Sequence, residues 1–508
     1  MQGFELLTEG LRHCMTPGVF MLMLMGVGVG IVFGSIPGLS AMMAVALFLP
    51  VTFTMDPRTG MTLLIALYIG ATSGGLIAAI LLNIPGTPSS IATCFDGSPM
   101  AKRGEAGKAL GVGIVYSFLG GLFSFIILMF LAPPIAKFAL RFSAIEYFAV
   151  TFFALAMIAT LSSGNFLIGL LSGMLGLIVS TVGQAPIEGL PRFTFGNDNL
   201  ISGFDTLPTL IGIFAISEAL STAESIDATK DMKTIELKPI KGFGFSLAEF
   251  KSQTVNFFRS CLIGTGVGIL PGIGGSMSGI LSYVVAKNQS KYPEKFGTGV
   301  IDGIVAPETA NNATIGGALI PLLALGIPGD GVTAMMLGGF MIHGLTPGPL
   351  LFTTSADLVY TIFAACIIAN FIMIAMEFFG IRIFVKMLLI PKYILMPIIL
   401  VMCTVGSYAV ANRAFDCQSI IFFGIIGYLM SKLKMPVAPF ILAFILGGNA
   451  ETYFRRGLMM TDGSIMPFIT RPISAILIGV TFIVMIGSVV KEWKRYRAGR
   501  FGTGEVPE

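Results

Sequence analysis

The sequence predicts an all-α polytopic membrane protein, built as two inverted repeats whose helices are interrupted or fold back as re-entrant hairpins. Three observations carry that expectation. Hydrophobic residues make up 55% of the 508 and charged residues only 11%, with a mean hydropathy of +0.88, a balance far from that of a soluble chain. Many apolar runs approach or exceed the ~20 residues that cross a bilayer as a helix, which gives about 10–12 crossings. Pro-Gly pairs interrupt those runs, and the 63 glycines and 27 prolines favour closely packed, broken helices over plain anchors.

In chain order, residues 1–18 hold Glu5, Glu9 and Pro17, so no cleavable signal peptide is expected and the first membrane segment does the targeting. That segment covers 19–33 and ends at Gly34-Ser35-Ile36-Pro37-Gly38. The next run, 39–53, is short for a crossing, whereas 61–84 is long enough and ends at Pro85-Gly86-Thr87-Pro88. A small polar piece, 89–99, leads into a basic loop with Lys102, Arg103 and Lys108. Helices follow at 109–132, 145–161, 166–183 and 207–220. The longest polar stretch, 221–256, separates a first membrane repeat (1–220) from a second (257–490). The second opens with 257–286, broken at Pro271-Gly272, then a loop with Lys287, Lys291 and Lys295. The run 304–351 is broken in its middle by Ile327-Pro328-Gly329-Asp330. Helices are expected at 358–379, 394–411, 418–431, 436–448 and 473–490. The tail, 491–508, carries Lys491, Lys494, Arg495, Arg497 and Arg500 beside Trp493, which predicts a cytoplasmic C-terminus with an interfacial anchor.

The two halves resemble each other at their breaks. Gly34-Ser35-Ile36-Pro37-Gly38-Leu39 aligns without gaps to Gly268-Ile269-Leu270-Pro271-Gly272-Ile273. Gly74-Gly75 and Ile84-Pro85-Gly86 align to Gly316-Gly317 and Ile327-Pro328-Gly329 with a one-residue slip. Paired Gly/Pro interruptions in corresponding positions point to a transporter's binding site. The basic loop follows the second break in one half and precedes it in the other. If both loops are cytoplasmic, the halves are inverted.

A break inside the membrane frees backbone groups that lipid cannot satisfy, so it faces protein or a watery cavity. The half-helix that starts there offers unpaired N–H donors and partial positive charge, an anion site. The candidate substrate-binding residues are therefore those at the breaks. They are Ser35, Pro37, Gly38 and Ser40, then Asn83, Pro85, Gly86, Thr87, Ser89, Ser90 and Thr93. The second half adds Pro271, Gly272, Gly274, Gly275 and Ser276, with Ser278 behind them, and then Pro328 and Gly329. The bland alternative is that the hydroxyls bond back to their own helices. Glu308, Asn311 and Asn312 stand at i, i+3 and i+4, one helical face of hard oxygen ligands suited to Na+ or to a protonatable carboxyl. Helix capping or an inter-helix hydrogen bond is the alternative. Asp96 and Asp330 complete the candidate coupling set, with capping as the alternative for Asp330. Glu218 and Glu377 lie at or in apolar runs without a motif, and His343 sits in a turn.

Composition excludes other classes. A net charge of +4 confined to loops and tail reads as membrane orientation, not nucleic-acid binding. The six cysteines lack CxxC spacing, and His13 and His343 are the only histidines, so neither a disulfide framework nor a metal cofactor is expected. No H-E-x-x-H occurs and no G-x-S-x-G lies beside a usable His, which argues against an enzyme. A passive anion channel is the competing reading.

The run 68–111, YIGATSGGLIAAILLNIPGTPSSIATCFDGSPMAKRGEAGKALG, resembles the first signature of the large membrane subunit of the tripartite tricarboxylate transporters. The runs GILPGIGG (268–275) and GTGVIDGIVAPETANNATIGGALIPLLALGIPGDG (297–331) resemble the second. Ser73 departs from the tyrosine expected in many relatives. The resemblance implies a bacterial inner-membrane protein that works with a small four-helix membrane subunit and a periplasmic solute-binding protein. It also implies secondary active uptake, driven by Na+ or H+, of citrate-like tri- and dicarboxylates. The family's conserved segments fall on Gly34–Gly38, Asn83–Asp96, Gly268–Gly275 and Glu308–Asp330.

Overall fold

The computed structural model describes residues 2–161, 166–224, 244–272, 274–387 and 392–497. Most of the expected connecting loop (225–243), residue 273, and the end of the tail with Arg500 lie outside the described residues. The described chain is helical almost throughout.

The first half begins with α1 (Gln2–Cys14), which the sequence reading did not expect as a helix. α2 (Pro17–Ser35) has proline in its first turn, where no N–H is needed. It stops before Gly38, whose φ of 91° lets the chain turn. α3 (Ala41–Thr52) is capped by Ser40, which accepts from the Met43 N–H at 3.2 Å. α4 (Pro57–Leu82) is capped by Asp56 and ends at Asn83, a left-handed residue with φ 57°. After a 3-10 turn at Pro88–Ser90 come α5 (Ile91–Met100), a π turn at Ala101–Glu105 and α6 (Ala106–Ala139). The basic loop expected at 102–108 is thus a kinked helical junction. Gly104 takes φ 84° there, outside the helical range, and two helices meet at that kink. α7 (Ala144–Leu161) and α8 (Phe166–Ser180) follow. A two-residue ribbon pairs β1 (Gly183–Gln184) with β2 (Pro191–Arg192). α9 (Thr206–Ile211) passes through a second π turn, Gly212–Ile216, into α10 (Ser217–Glu224).

The second half runs α11 (Leu247–Ser252), α12 (Thr254–Ile269), α13 (Gly274–Asn288), α14 (Asp302–Leu325) and α15 (Gly331–Ile342). It continues with α16 (Leu351–Thr354), α17 (Ala356–Met387), α18 (Lys392–Ala411) and α19 (Ala414–Lys432). α20 (Val437–Met459), α21 (Met466–Thr470) and α22 (Pro472–Arg497) close the described chain. Among the described residues, 8 helical segments are long and apolar enough to cross a bilayer, and shorter apolar helices such as α3 and α15 stand beside them.

Backbone contacts match the halves residue by residue. A Cβ at Gly34 would lie 2.1 Å from Ala71 O, and one at Gly268 would lie 2.6 Å from Thr314 O. Gly30 meets Leu67 O as Gly264 meets Ala310 O, and Gly74 meets Ile31 O as Gly317 meets Thr265 O. The breaks close the pattern. Gly86 is pressed on Gly34 O and Gly329 on Gly268 O, at 2.2 and 2.4 Å from a built Cβ. Only glycine permits such approach. These contacts pair Gly74 with Gly317, so the one-residue slip of the sequence alignment disappears and Ser73 stands where the second half has Gly316.

The halves also interlock. α3 packs on α15, and α13 packs on the Pro88 turn and α5, while α6 lies along α14 and α17 along α4. α4 and α14 are consequently buried along nearly their whole length. α7, α8, α20 and α22 pack together at the periphery.

Candidate functional site

The four breaks meet. A cavity of about 310 Å³ is lined by Ser40 before α3, by Thr87 and Ser89 before α5, by Gly272, Gly274, Gly275 and Ser276 at α13, and by Asp330 and Gly331 at α15. Four helix starts thus face one space. α4 adds Tyr68 and Thr72, α14 adds Asn311 and Thr314, and Met42, Phe214, Met277 and Pro436–Ala438 supply apolar walls. No Lys, Arg or His is among the lining residues. Positive potential here comes from main-chain dipoles, each start carrying roughly +0.5 charge.

Local chemistry explains the starts. Thr87 and Asp330 occupy matching positions, and each closes a capping box, with Ser90 and Thr333 respectively. The Thr333 N–H donates to Asp330 Oδ1 at 2.8 Å, and the Tyr68 hydroxyl donates to Oδ2. Thr87 and Ser89 share a 2.9 Å hydroxyl contact. Gly275 is needed for close approach, since a Cβ there would lie 2.5 Å from Asn311 Oδ1 and 3.1 Å from Ser89 Cβ. Asn311 Nδ2 reaches Thr72 O only at 3.5 Å, and its buried Oδ1 has no partner among the described residues. An unpaired buried acceptor at a cavity wall is poised for a donor or a cation.

Of the sequence candidates, Ser40, Thr87, Ser89, Gly272, Gly274, Gly275, Ser276, Asn311 and Asp330 line this cavity. Gly38, Pro85 and Gly86 line an adjoining cavity of about 420 Å³ that shares Ser40, Thr87 and Phe214 with the first. The remaining candidates stand elsewhere. Ser35 bonds back to Val32 O at 3.0 Å and Ser90 to Thr87 O at 2.9 Å, the bland alternative for hydroxyls. Ser278 meets Gly275 O and Thr314 instead of the cavity. Asn83 ends α4, Pro37 lies within the first break, and Pro271 faces an apolar crevice shared with α7 and α22. Pro328 and Gly329 form the turn against Gly268.

Glu308, Asn311 and Asn312 keep one side of α14 but do not share a partner. Glu308 accepts from Thr93 at 2.5 Å and Ser117 at 2.9 Å, between α5 and α6, while Asn311 looks into the cavity. At about 100° per residue, positions 311 and 312 flank 308 on opposite sides, and a helix enclosed all round gives each a different neighbour. Asn312 Nδ2 bonds the Glu308 carbonyl at 3.0 Å. Asp96 is also remote from the cavity. It accepts from Tyr283 at 2.9 Å and from the N–H groups of Gly297, Gly299 and Val300 at 3.0, 2.7 and 2.9 Å. Those donors staple the approach to α14 onto α5. Sequence reasoning missed Tyr68, Thr72, Thr314 and Phe214. The first two lie one turn apart on α4 ahead of its double glycine, a signal that was there to be used.

The family model described as the tripartite tricarboxylate transporter TctA family matches residues 20–442, a span that contains all four breaks. The chain belongs to this family. An uncharacterized 52.8 kDa protein in the TAR-I ttuC' 3'region of Agrobacterium vitis is 36% identical over 474 residues, 93% of this chain and 94% of that protein. A second uncharacterized protein, in the TAR-II ttuC' 3'region of the same organism, is 39% identical over 223 residues, 44% of this chain and 92% of that protein. No solved structure matches. As a TctA-family chain with multiple apolar helices, it is a multi-pass membrane subunit of a tricarboxylate transporter, and the family name implies a tripartite assembly with other subunits.

Proposed function

We propose that this chain performs secondary active uptake of citrate-like tri- and dicarboxylates across the bacterial inner membrane, coupled to Na+ or H+. It acts with a small four-helix membrane subunit and a periplasmic binding protein. One observation carries the reading: four half-helix starts converge on a single cavity with no basic side chain among the described residues that line it. Main-chain donors at the starts of α3, α5 and α13, where no carboxylate among the described residues caps the helix, suit a passenger bearing several carboxylates, because each carboxylate can take its own helix start. The Asp330 carboxylate stands in the same cavity. A polyanion beside it is repelled unless a cation or proton enters too, which supplies a physical reason for coupled entry.

The orientation is supported by where the charges lie. Arg103 reaches Thr298 O and Gly299 O, so both basic loops share one end, and Lys108 pairs with Glu249 there at 2.5 Å. α14 begins at that end. α4 begins at the other, where Arg58 pairs with Glu9 and Asp357. Opposite starts for matching helices favour inverted halves. α22 starts beside Ser143 and Glu146, past the far end of α6, through Arg471. Its end therefore returns to the basic side, which the positive-inside rule makes cytoplasmic. Uptake of labelled citrate into proteoliposomes holding the whole assembly, under imposed Na+ or pH gradients, tests coupling. Equal uptake without any gradient or counter-substrate would remove it.

A further inference from the structure

Away from the cavity, two carboxylates are buried where the halves interlock, and among the described ion pairs neither has a basic partner. Glu308 on α14 takes the hydroxyls of Thr93 and Ser117. Glu377 on α17 takes the Ser73 hydroxyl on Oε2 at 2.9 Å, and its Oε1 has no partner among the described residues. Both residues are 0% exposed. A Cβ at Gly113 of α6 would lie 3.5 Å from Leu76 of α4 and 3.8 Å from Ile304 of α14. Ser117, Ser73 and Glu308 stand one turn further along those three helices, so the carboxyl that Ser73 holds lies at the level of Glu308. Asn312, one turn beyond Glu308 and 1% exposed, has its nitrogen tied to the Glu308 carbonyl and its Oδ1 unpartnered. Two ionised carboxylates in this interior are untenable without a counter-charge. Hydroxyl donors cannot supply one. The pair is also no relic of the repeat, because the residue matching Glu308 in the first half is Ile65.

We propose that Glu377 and Glu308, with Ser73 and Asn312 Oδ1, form a second cation site that takes one monovalent cation, H+ or Na+. Its ligands belong to α4 of the first half and to α14 and α17 of the second, so occupancy stabilises one packing of the halves. The titratable neighbours are the two acids themselves and Cys94 of α5, the residue after Thr93, whose hydroxyl donates to Glu308. The role in coupling rests on the transport reading above, but cation binding does not.

The test is equilibrium binding of ²²Na+ to the purified full-length chain, with a pH-indicator count of protons taken up between pH 9 and pH 6. Loss of Na+ binding in Glu377→Gln and Glu308→Gln assigns sodium. No Na+ binding, but one proton fewer taken up by Glu377→Gln than by the natural chain, assigns a proton. Ser73→Ala, which keeps both acids, weakens the site about 10- to 100-fold by freeing Glu377, and it guards against a misfolded glutamine variant. If Glu377→Gln and Ser73→Ala match the natural chain in both measurements, the site does not exist. Labelled-carboxylate exchange in the same reconstitution reports on the transport reading separately. Absent exchange with a lost cation overturns the transport reading alone.

Discussion

Gly275 and Gly329 are both glycines against backbone or polar neighbours, yet they serve different ends, and substitution separates them. At Gly275 an added methyl meets Asn311 Oδ1 and Ser89 in the cavity wall. Gly275→Ala is expected to leave the fold intact and weaken citrate binding about tenfold or more, roughly 1.4 kcal/mol, by filling the space between two helix starts. Isothermal titration against citrate checks it. At Gly329 the methyl meets Gly268 O at 2.4 Å and Ala318 Cα at 2.6 Å, both backbone. Gly329→Ala is expected to destabilise by about 1–3 kcal/mol or more, because neither neighbour has a rotamer to give. A detergent melt that is unchanged by Gly329→Ala contradicts the repeat geometry. Tyr68→Phe removes a donor from buried Asp330 and is expected to cost about 1–3 kcal/mol, visible in the same melt.

Among the elements, the half-helices depend on their caps more than on their length. α15 has only 12 residues, and its start is held by the reciprocal Asp330–Thr333 bonds. Thr333→Ala should cost about 1 kcal/mol and loosen the α15 start, seen as faster amide exchange over 331–334. α11 illustrates a charged attachment outside the membrane. Glu249 is held down at about 2, first by its hydrogen bond to Lys108 and then by the Ser246 N–H. A depressed carboxylate contributes stability that is complete above its unfolded value, about 4.3, and is lost as pH falls through about 2. Docking of α11 is therefore expected to persist at pH 5 and to fail in Lys108→Ala at pH 7. Amide exchange over 247–252 reads both. These caps were legible in advance, since Ser40, Thr87 and Asp330 each directly follow a Pro-Gly pair or lie within two residues of one, where a helix must restart.

For the whole molecule, the expected sidedness is specific. Single cysteines at Lys102 and Lys295 should label from the same membrane face, and one at Arg58 from the other, because Arg103 joins the first two loops and Glu9 and Asp357 hold Arg58 at the far end. Labelling of all three from one side contradicts the inverted arrangement. The sequence by itself determined the membrane class and the place of each break, and it matched the halves there up to a one-residue slip that only the backbone contacts removed. Those follow from apolar run length and from the local limits that proline and glycine set on the backbone. It did not determine which polar residues share a site. α14 is buried on every side, so its sequence carries no stripe to tell the cavity face of Asn311 and Thr314 from the α6 face of Glu308. Glu377, 48 residues beyond Gly329, the nearest break before it in the chain, meets Ser73 only because α17 lies along α4. That meeting is a product of how the halves interlock, and no local spacing could record it.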